Sequence, residues 1–142
     1  MNLWKLWIVN SLLLMGPVDR ETRACQHVSM DDIHITHVDV TEVPTRLGAG
    51  VVLLDVREDD EWLRGHVPGA QHIPMGDVPA RMAEIDADAE LYVICHAGGR
   101  SLKVSQYLAR NGYEPINVAG GMLEWFGAGL PIVTDAADPG AV

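Results

Sequence analysis

A cysteine, two glycines, an arginine and a serine fall within one short stretch, Cys95-His96-Ala97-Gly98-Gly99-Arg100-Ser101. It follows a wholly apolar run, Leu91-Tyr92-Val93-Ile94, and leads into a helical pattern that closes at Gly112. A short run that is apolar throughout reads as a strand buried on both faces. A strand that stops at a cysteine, turns through glycines and enters a helix makes a small cup. Backbone N–H groups and the positive end of the helix point into that cup, so an anion fits there. A cysteine at its first position is favoured as the thiolate, the form that attacks. The stretch reads as a nucleophile built into an anion site.

The distribution of charge agrees. The chain of 142 residues carries 10 Lys and Arg against 20 Asp and Glu, a formal net charge of −10. That balance argues against nucleic acid or an anionic membrane as the main partner. Yet from Leu91 to Tyr113 there is no acid, while Arg100, Lys103 and Arg110 all fall there. A basic window around a cysteine in an acidic protein points to a small anion. With 48% hydrophobic and 21% charged residues the chain can build one packed core rather than remain disordered. Only two cysteines occur, Cys25 and Cys95. That is too few for a disulfide framework, and a zinc site needs a second nearby pair. Cys95 reads as a free thiol of a reducing compartment, and Cys25 as incidental.

The elements that must position the loop follow in order. Residues 1–29 read as an extension outside the domain, with Met30 as an alternative start. Their apolar part, Leu3 to Met15, is short for a membrane span and lacks a good cleavage site. Export or anchoring through residues 1–17, or a packed N-terminal helix, are the alternatives. The domain proper reads as 30–134, with 135–142 a loose tail. His34-Ile35-Thr36-His37-Val38 alternates as a strand, and Thr41 caps a short helix with Pro44 in its first turn. Gly48-Ala49-Gly50 ends that helix before a second strand, Val51-Val52-Leu53-Leu54, which closes at Asp55 and Arg57. Glu58-Asp59-Asp60-Glu61 puts acids on the first turn of the next helix, which Gly65 stops. A short strand at Gln71-His72-Ile73 and a helix from Asp77 through Val78, Met82 and Ile85 precede the cysteine strand. The loop helix from Ser101, a strand at Ile116-Asn117-Val118 and a helix opened by Gly120-Gly121 complete the chain. Alternating strands and helices specify an α/β fold, a parallel sheet with helices on both faces. In such sheets ligands sit at the carboxyl ends of strands, where Cys95 falls.

Three stretches also carry a resemblance. Asp55-Val56-Arg57-Glu58 with Glu61-Trp62 and Gly65-His66-Val67-Pro68-Gly69-Ala70 resembles the first signature of the rhodanese (sulfurtransferase) superfamily. Cys95 to Ser101 is similar to that family's active-site loop, and Gly120-Gly121-Met122 with Trp125 to its closing motif. The resemblance covers about Ile33 to Val133. It implies a rhodanese-like three-layer sandwich around a five-stranded parallel sheet. Trp62 and His72 depart from the family pattern, Trp62 in place of a smaller aromatic and His72 in place of Asn.

The resemblance further implies a cytoplasmic sulfurtransferase in which Cys95 takes a sulfur as a persulfide from a small sulfur-containing anion. A thiol, cyanide or protein acceptor then removes it, with no metal or organic cofactor. Gly98 and Gly99 would allow positive φ and curl the backbone around the sulfur. Arg100 would neutralise the incoming anion, or pair with an acid elsewhere. His96 can assist with a proton or point outward, and Ala97 is the other variable loop residue. Ser101 would cap the helix or hydrogen-bond the Cys95 sulfur. Asp55 and Arg57 would pair and brace the cup. His34 with His37 is a poor metal pair, since strand positions three apart face opposite sides, and His66 with His72 flanks a turn with no acid or cysteine alongside. Met122 and Trp125 read as core cover. Two competitors remain: a cysteine-dependent phosphatase or arsenate reductase, and a non-turnover sulfur relay or protein-binding module. The related phosphatases place the loop arginine one residue further from the cysteine. The tighter loop here suits a single sulfur better than a phosphoryl group.

Overall fold

The computed structural model describes residues 33–134. The expectations for the 1–29 extension, Met30, Cys25 and the 135–142 tail lie outside these residues. Five strands form one parallel sheet: β1 (Thr36–Val38), β2 (Val51–Asp55), β3 (Gln71–His72), β4 (Glu90–Ile94) and β5 (Pro115–Val118). Their order across the sheet is β1-β5-β4-β2-β3. Among the described residues, four α-helices connect or follow them: α1 (Asp59–Arg64), α2 (Val78–Arg81), α3 (Gly99–Arg110) and α4 (Gly121–Gly127). Among the described residues, no helix is long and apolar enough to cross a membrane.

Alternation along the central strands builds two cores and hence three layers. Leu54, Leu91 and Val93 face one side, where they pack with Val104 and Leu108 of α3 and Val78 of α2. Leu53, Tyr92 and Ile94 face the other, against Met122 and Trp125 of α4 and Val40 and Val43. The apolar run at Leu91–Ile94 is buried on both faces because it fills both cores at once.

Three local expectations need correction. The first strand begins at Thr36 rather than His34. No α-helix follows it, only a 3-10 turn over Val40–Glu42, and Asp39, not Thr41, caps that turn. Asp39 accepts the Thr41 N–H at 3.2 Å while the Glu42 carboxylate accepts the Asp39 N–H at 2.6 Å, so the reciprocal box forms two residues earlier. Pro44 explains the early stop. It pushes the residue before it out of the helical region, and Val43 is extended at φ −69° and ψ 129°. Gly48-Ala49-Gly50 therefore makes a separate tight turn, closed by the Gly48 N–H on the Val51 carbonyl at 2.8 Å. The helix expected from Asp77 through Ile85 is α2 set between two 3-10 turns, Met75–Asp77 and Met82–Glu84.

The topology fixes where a ligand can sit. From β2 the chain moves outward to β3, whereas from β4 it moves the opposite way to β5. The crevice between the carboxyl ends of β2 and β4 is thus the point where the order reverses. Asp55 and Ile94 lie side by side there, and Cys95 comes next.

Candidate active site

The Cys95 residue is only 1% exposed, so its surroundings decide its charge. The Gly98 N–H points at Sγ from 3.1 Å and the Ser101 hydroxyl from 3.3 Å. Burial pushes the thiol up, as it does for any buried acid. Hydrogen bonds from the Ser101 hydroxyl and from the main-chain N–H groups of Ser101, Gly98 and Ala97 outweigh it, and the thiol sits below its ordinary 9.0.

The backbone that aims these groups depends on two glycines, not the pair expected. Gly98 has φ 103° and precedes α3 as its N-cap, which turns its N–H onto the sulfur. Gly99 is already the first residue of α3, outside the left-handed region, and a Cβ there would meet nothing within 4 Å. The second essential glycine is Gly121, at φ 58°, where a Cβ would stand 2.4 Å from the Cys95 carbonyl oxygen and 2.6 Å from that of His96. That close approach lets α4 donate the Met122 N–H to the Cys95 carbonyl at 2.8 Å and the Leu123 N–H to that of His96 at 2.9 Å. With its carbonyls held by α4, the loop keeps its own N–H groups for the sulfur. Because α3 starts at Gly99, Ser101 lies within the first turn rather than at the cap. Its hydroxyl reaches Sγ and, at 3.1 Å, the Gly98 carbonyl.

Arg100 takes the second of the two courses open to it. Its two terminal nitrogens each lie 2.7 Å from a Glu61 carboxylate oxygen. The Arg100 hydrogen bond, against burial and with help from the Glu58 N–H, draws the Glu61 carboxyl down to about 2. Asp55 and Arg57 pair at 2.7 Å, both buried, and the Arg57 guanidinium also donates to the Gly65 carbonyl at 2.8 Å and the Glu61 carbonyl at 3.2 Å. This clamp bolts α1 to the end of β2 and presents Glu61 to the loop. His96 is exposed and lines a shallow opening with Arg57, Glu61, Arg64 and Phe126. His66 and His72 both stack on Trp62, with ring centroids 3.6 Å and 4.5 Å away. Among the described residues, no three His, Cys, Asp or Glu side chains gather as metal ligands would.

Residues 39–128 match the Rhodanese-like domain family. The chain belongs to that family. A sulfurtransferase of Allochromatium vinosum is 35% identical over 102 residues, 70% of this chain and 95% of the relative. Thiosulfate sulfurtransferase 18 of Arabidopsis thaliana is 33% identical over 122 residues, 75% of this chain and 90% of the relative. Among solved structures, a rhodanese-related protein of Thermoplasma volcanium superposes with a TM-score of 0.65 at 25% identity, covering 70% of this chain and 99% of that one. The five-stranded parallel sheet with helices on both faces is the fold of these rhodanese-like neighbours.

In this rhodanese-like domain sequence reasoning reached the loop but missed two contributors. The sequence marks Glu61 only as helix acid and motif residue, and Gly121 only as helix start and motif residue. The signal for both was their place in the first and closing motifs. The glycine geometry predicts that Gly121→Ala unfolds at markedly lower urea than wild type, whereas Gly99→Ala stays within about 1 kcal/mol of it. Equilibrium unfolding followed by circular dichroism checks this. The Glu61 carboxyl at about 2 lies below its ordinary 4.5, so the unfolded chain takes up that proton first. Its stabilisation is complete above pH 4.5 and is lost as pH falls toward 2. The Tm gap between wild type and Glu61→Gln should accordingly be widest near neutrality and close in acid.

Proposed function

We propose that this domain is a sulfurtransferase that carries sulfane sulfur as a persulfide on Cys95, with thiosulfate as donor. The observation behind this reading is the convergence of the Gly98 N–H and the Ser101 hydroxyl on one buried sulfur. These donors favour the thiolate before reaction and suit the anionic persulfide after it.

The Cys95 thiolate attacks the outer sulfur of thiosulfate. A bond forms between Sγ and that sulfur, the sulfur–sulfur bond of the donor breaks, and sulfite leaves with the electron pair. An acceptor thiolate or cyanide then attacks the same outer sulfur, and Cys95 departs as thiolate. Both steps balance without an external oxidant, a metal or an organic cofactor. A thiolate nucleophile of this kind works in reducing surroundings, which favours the cytoplasm. The five-residue spacing from Cys95 to Arg100 supports transfer of a single sulfur over phosphate or arsenate chemistry.

Incubation with thiosulfate should add the mass of one sulfur atom to wild type, removable by cyanide, and none to Cys95→Ser. Turnover of a phosphate ester or reduction of arsenate, with no sulfur added, would overturn the reading. Persulfide formation without turnover until a protein acceptor is supplied would mark a relay instead. Because the thiol lies below 9.0, loading should continue at pH values where an ordinary thiol is protonated. Removing the Ser101 donor should move the midpoint of the loading profile up by roughly one pH unit, as loss of a hydrogen bond to a charged group requires. Loading rates of Ser101→Ala measured across pH test this.

A further inference from the structure

The charges at the mouth of the site cancel in pairs, and the pairs differ. Asp55 and Arg57 are 0% and 3% exposed, so that pair is sealed from any ligand. Arg100 and Glu61 are 33% and 23% exposed, and a small anion can reach them. Arg100 stands in the first turn of α3, the helix whose start cradles the Cys95 sulfur, and its cationic form is favoured first by the Glu61 hydrogen bond and further by the Cys95 thiolate. It is the cation best placed for the oxygen end of a donor whose sulfur meets Cys95. Both of its terminal nitrogens are already spent on the Glu61 carboxylate. Two oxygens of a sulfonate docking on this same end of the guanidinium would compete with Glu61 for both nitrogens.

We propose that Glu61 sets the charge selectivity of the sulfur donor: its carboxylate is a resident anion on Arg100 that the donor must displace. The proposal rests on the Cys95 sulfurtransferase reading. A donor with two negative charges meets the repulsion of Glu61 twice over, whereas a singly charged donor meets it once. Nothing distant compensates, since the chain is formally −10. Arg57 cannot take over, because its donors are committed to Asp55 and to the Gly65 and Glu61 carbonyls. The site is thereby biased toward donors of low charge, and Glu61 acts as a specificity residue through Arg100.

Thiosulfate and methanethiosulfonate test this directly, because both present a sulfane sulfur on a tetrahedral sulfur, one as a dianion and one as a monoanion. The quantity to measure is the ratio of kcat/KM for the two donors in wild type, Glu61→Gln and Glu61→Gln with Arg100→Gln. Glu61→Gln should raise the ratio in favour of thiosulfate by roughly fivefold, mainly through KM, as removal of one nearby like charge implies. Adding Arg100→Gln should abolish the rise. An unchanged or falling ratio would overturn the proposal and make Glu61 a prop that orients Arg100. A rise that survives Arg100→Gln would overturn it too. Should Glu61→Gln fold poorly, Glu61→Asp withdraws the carboxylate from Arg100 and should shift the ratio the same way by a smaller amount. Failure of the underlying reading looks different: no sulfur reaches Cys95 from either donor in wild type.

Discussion

A sulfur held almost wholly out of water, yet ringed by hydrogen-bond donors that favour its charged form, is the constraint that organises this molecule. Desolvation alone would keep Cys95 a neutral and inert thiol. Only fixed donors can reverse that, and main-chain amides are the cheapest, because they bring no side-chain entropy and no counter-charge. Every amide aimed at the sulfur is one that cannot serve the regular ladder of a strand or helix. The loop therefore has to leave β4, turn through a left-handed residue at Gly98 and enter α3 at once. Its outward carbonyls then need partners of their own, and the start of α4 supplies them. One electrostatic demand thus fixes the relation among a strand and two helices.

The buried Asp55–Arg57 pair should be read as a positioning device rather than a source of stability. Taking two charges out of water costs several kcal/mol per ion, and their attraction repays this only when the remaining polar groups are satisfied. Here they are: Arg57 serves Asp55, Glu61 and Gly65, and Asp55 also accepts the Arg57 N–H at 3.0 Å. A hydrophobic pair of equal volume would pack as well but could not reach the carbonyls of α1. What the ions add is direction, since they fix the helix that presents Glu61. The two departures from the family pattern, Trp62 and His72, meet beside this clamp. His72 stacks on Trp62 and its ring nitrogen lies 2.8 Å from the Arg57 carbonyl.

The sheet and the loop were legible because both are local patterns: apolar runs of strand length, and a cysteine between such a run and a helix. What was not legible depended on contacts between distant residues or on small differences in backbone angle. Nothing near Arg100 in sequence marks Glu61 as its partner, since the two come together only once β2 and β4 pair and α1 is bolted down. Two adjacent glycines look equivalent as letters, yet Gly98 is left-handed and Gly99 is helical. The 3-10 turn after β1 is hidden in the sequence for a different reason. Asp39 and Thr41 are both good caps, and only the effect of Pro44 on Val43 shortens the turn.

The division of labour between amides and guanidinium says how such a site discriminates. Salt screens charges over about 8–10 Å, so steering of anions depends on the net field near the mouth. Each arginine around the site is matched by a carboxylate, Arg100 by Glu61, Arg57 by Asp55 and Arg64 by Asp60, which limits that field. Amide dipoles are neutral and act only at contact distance, where they favour a sulfur that fits between Gly98 and Ser101. Recognition is therefore decided after arrival rather than during approach. An acidic protein gains from this arrangement: it need not concentrate every passing anion in order to hold the one atom its loop is shaped to stabilise.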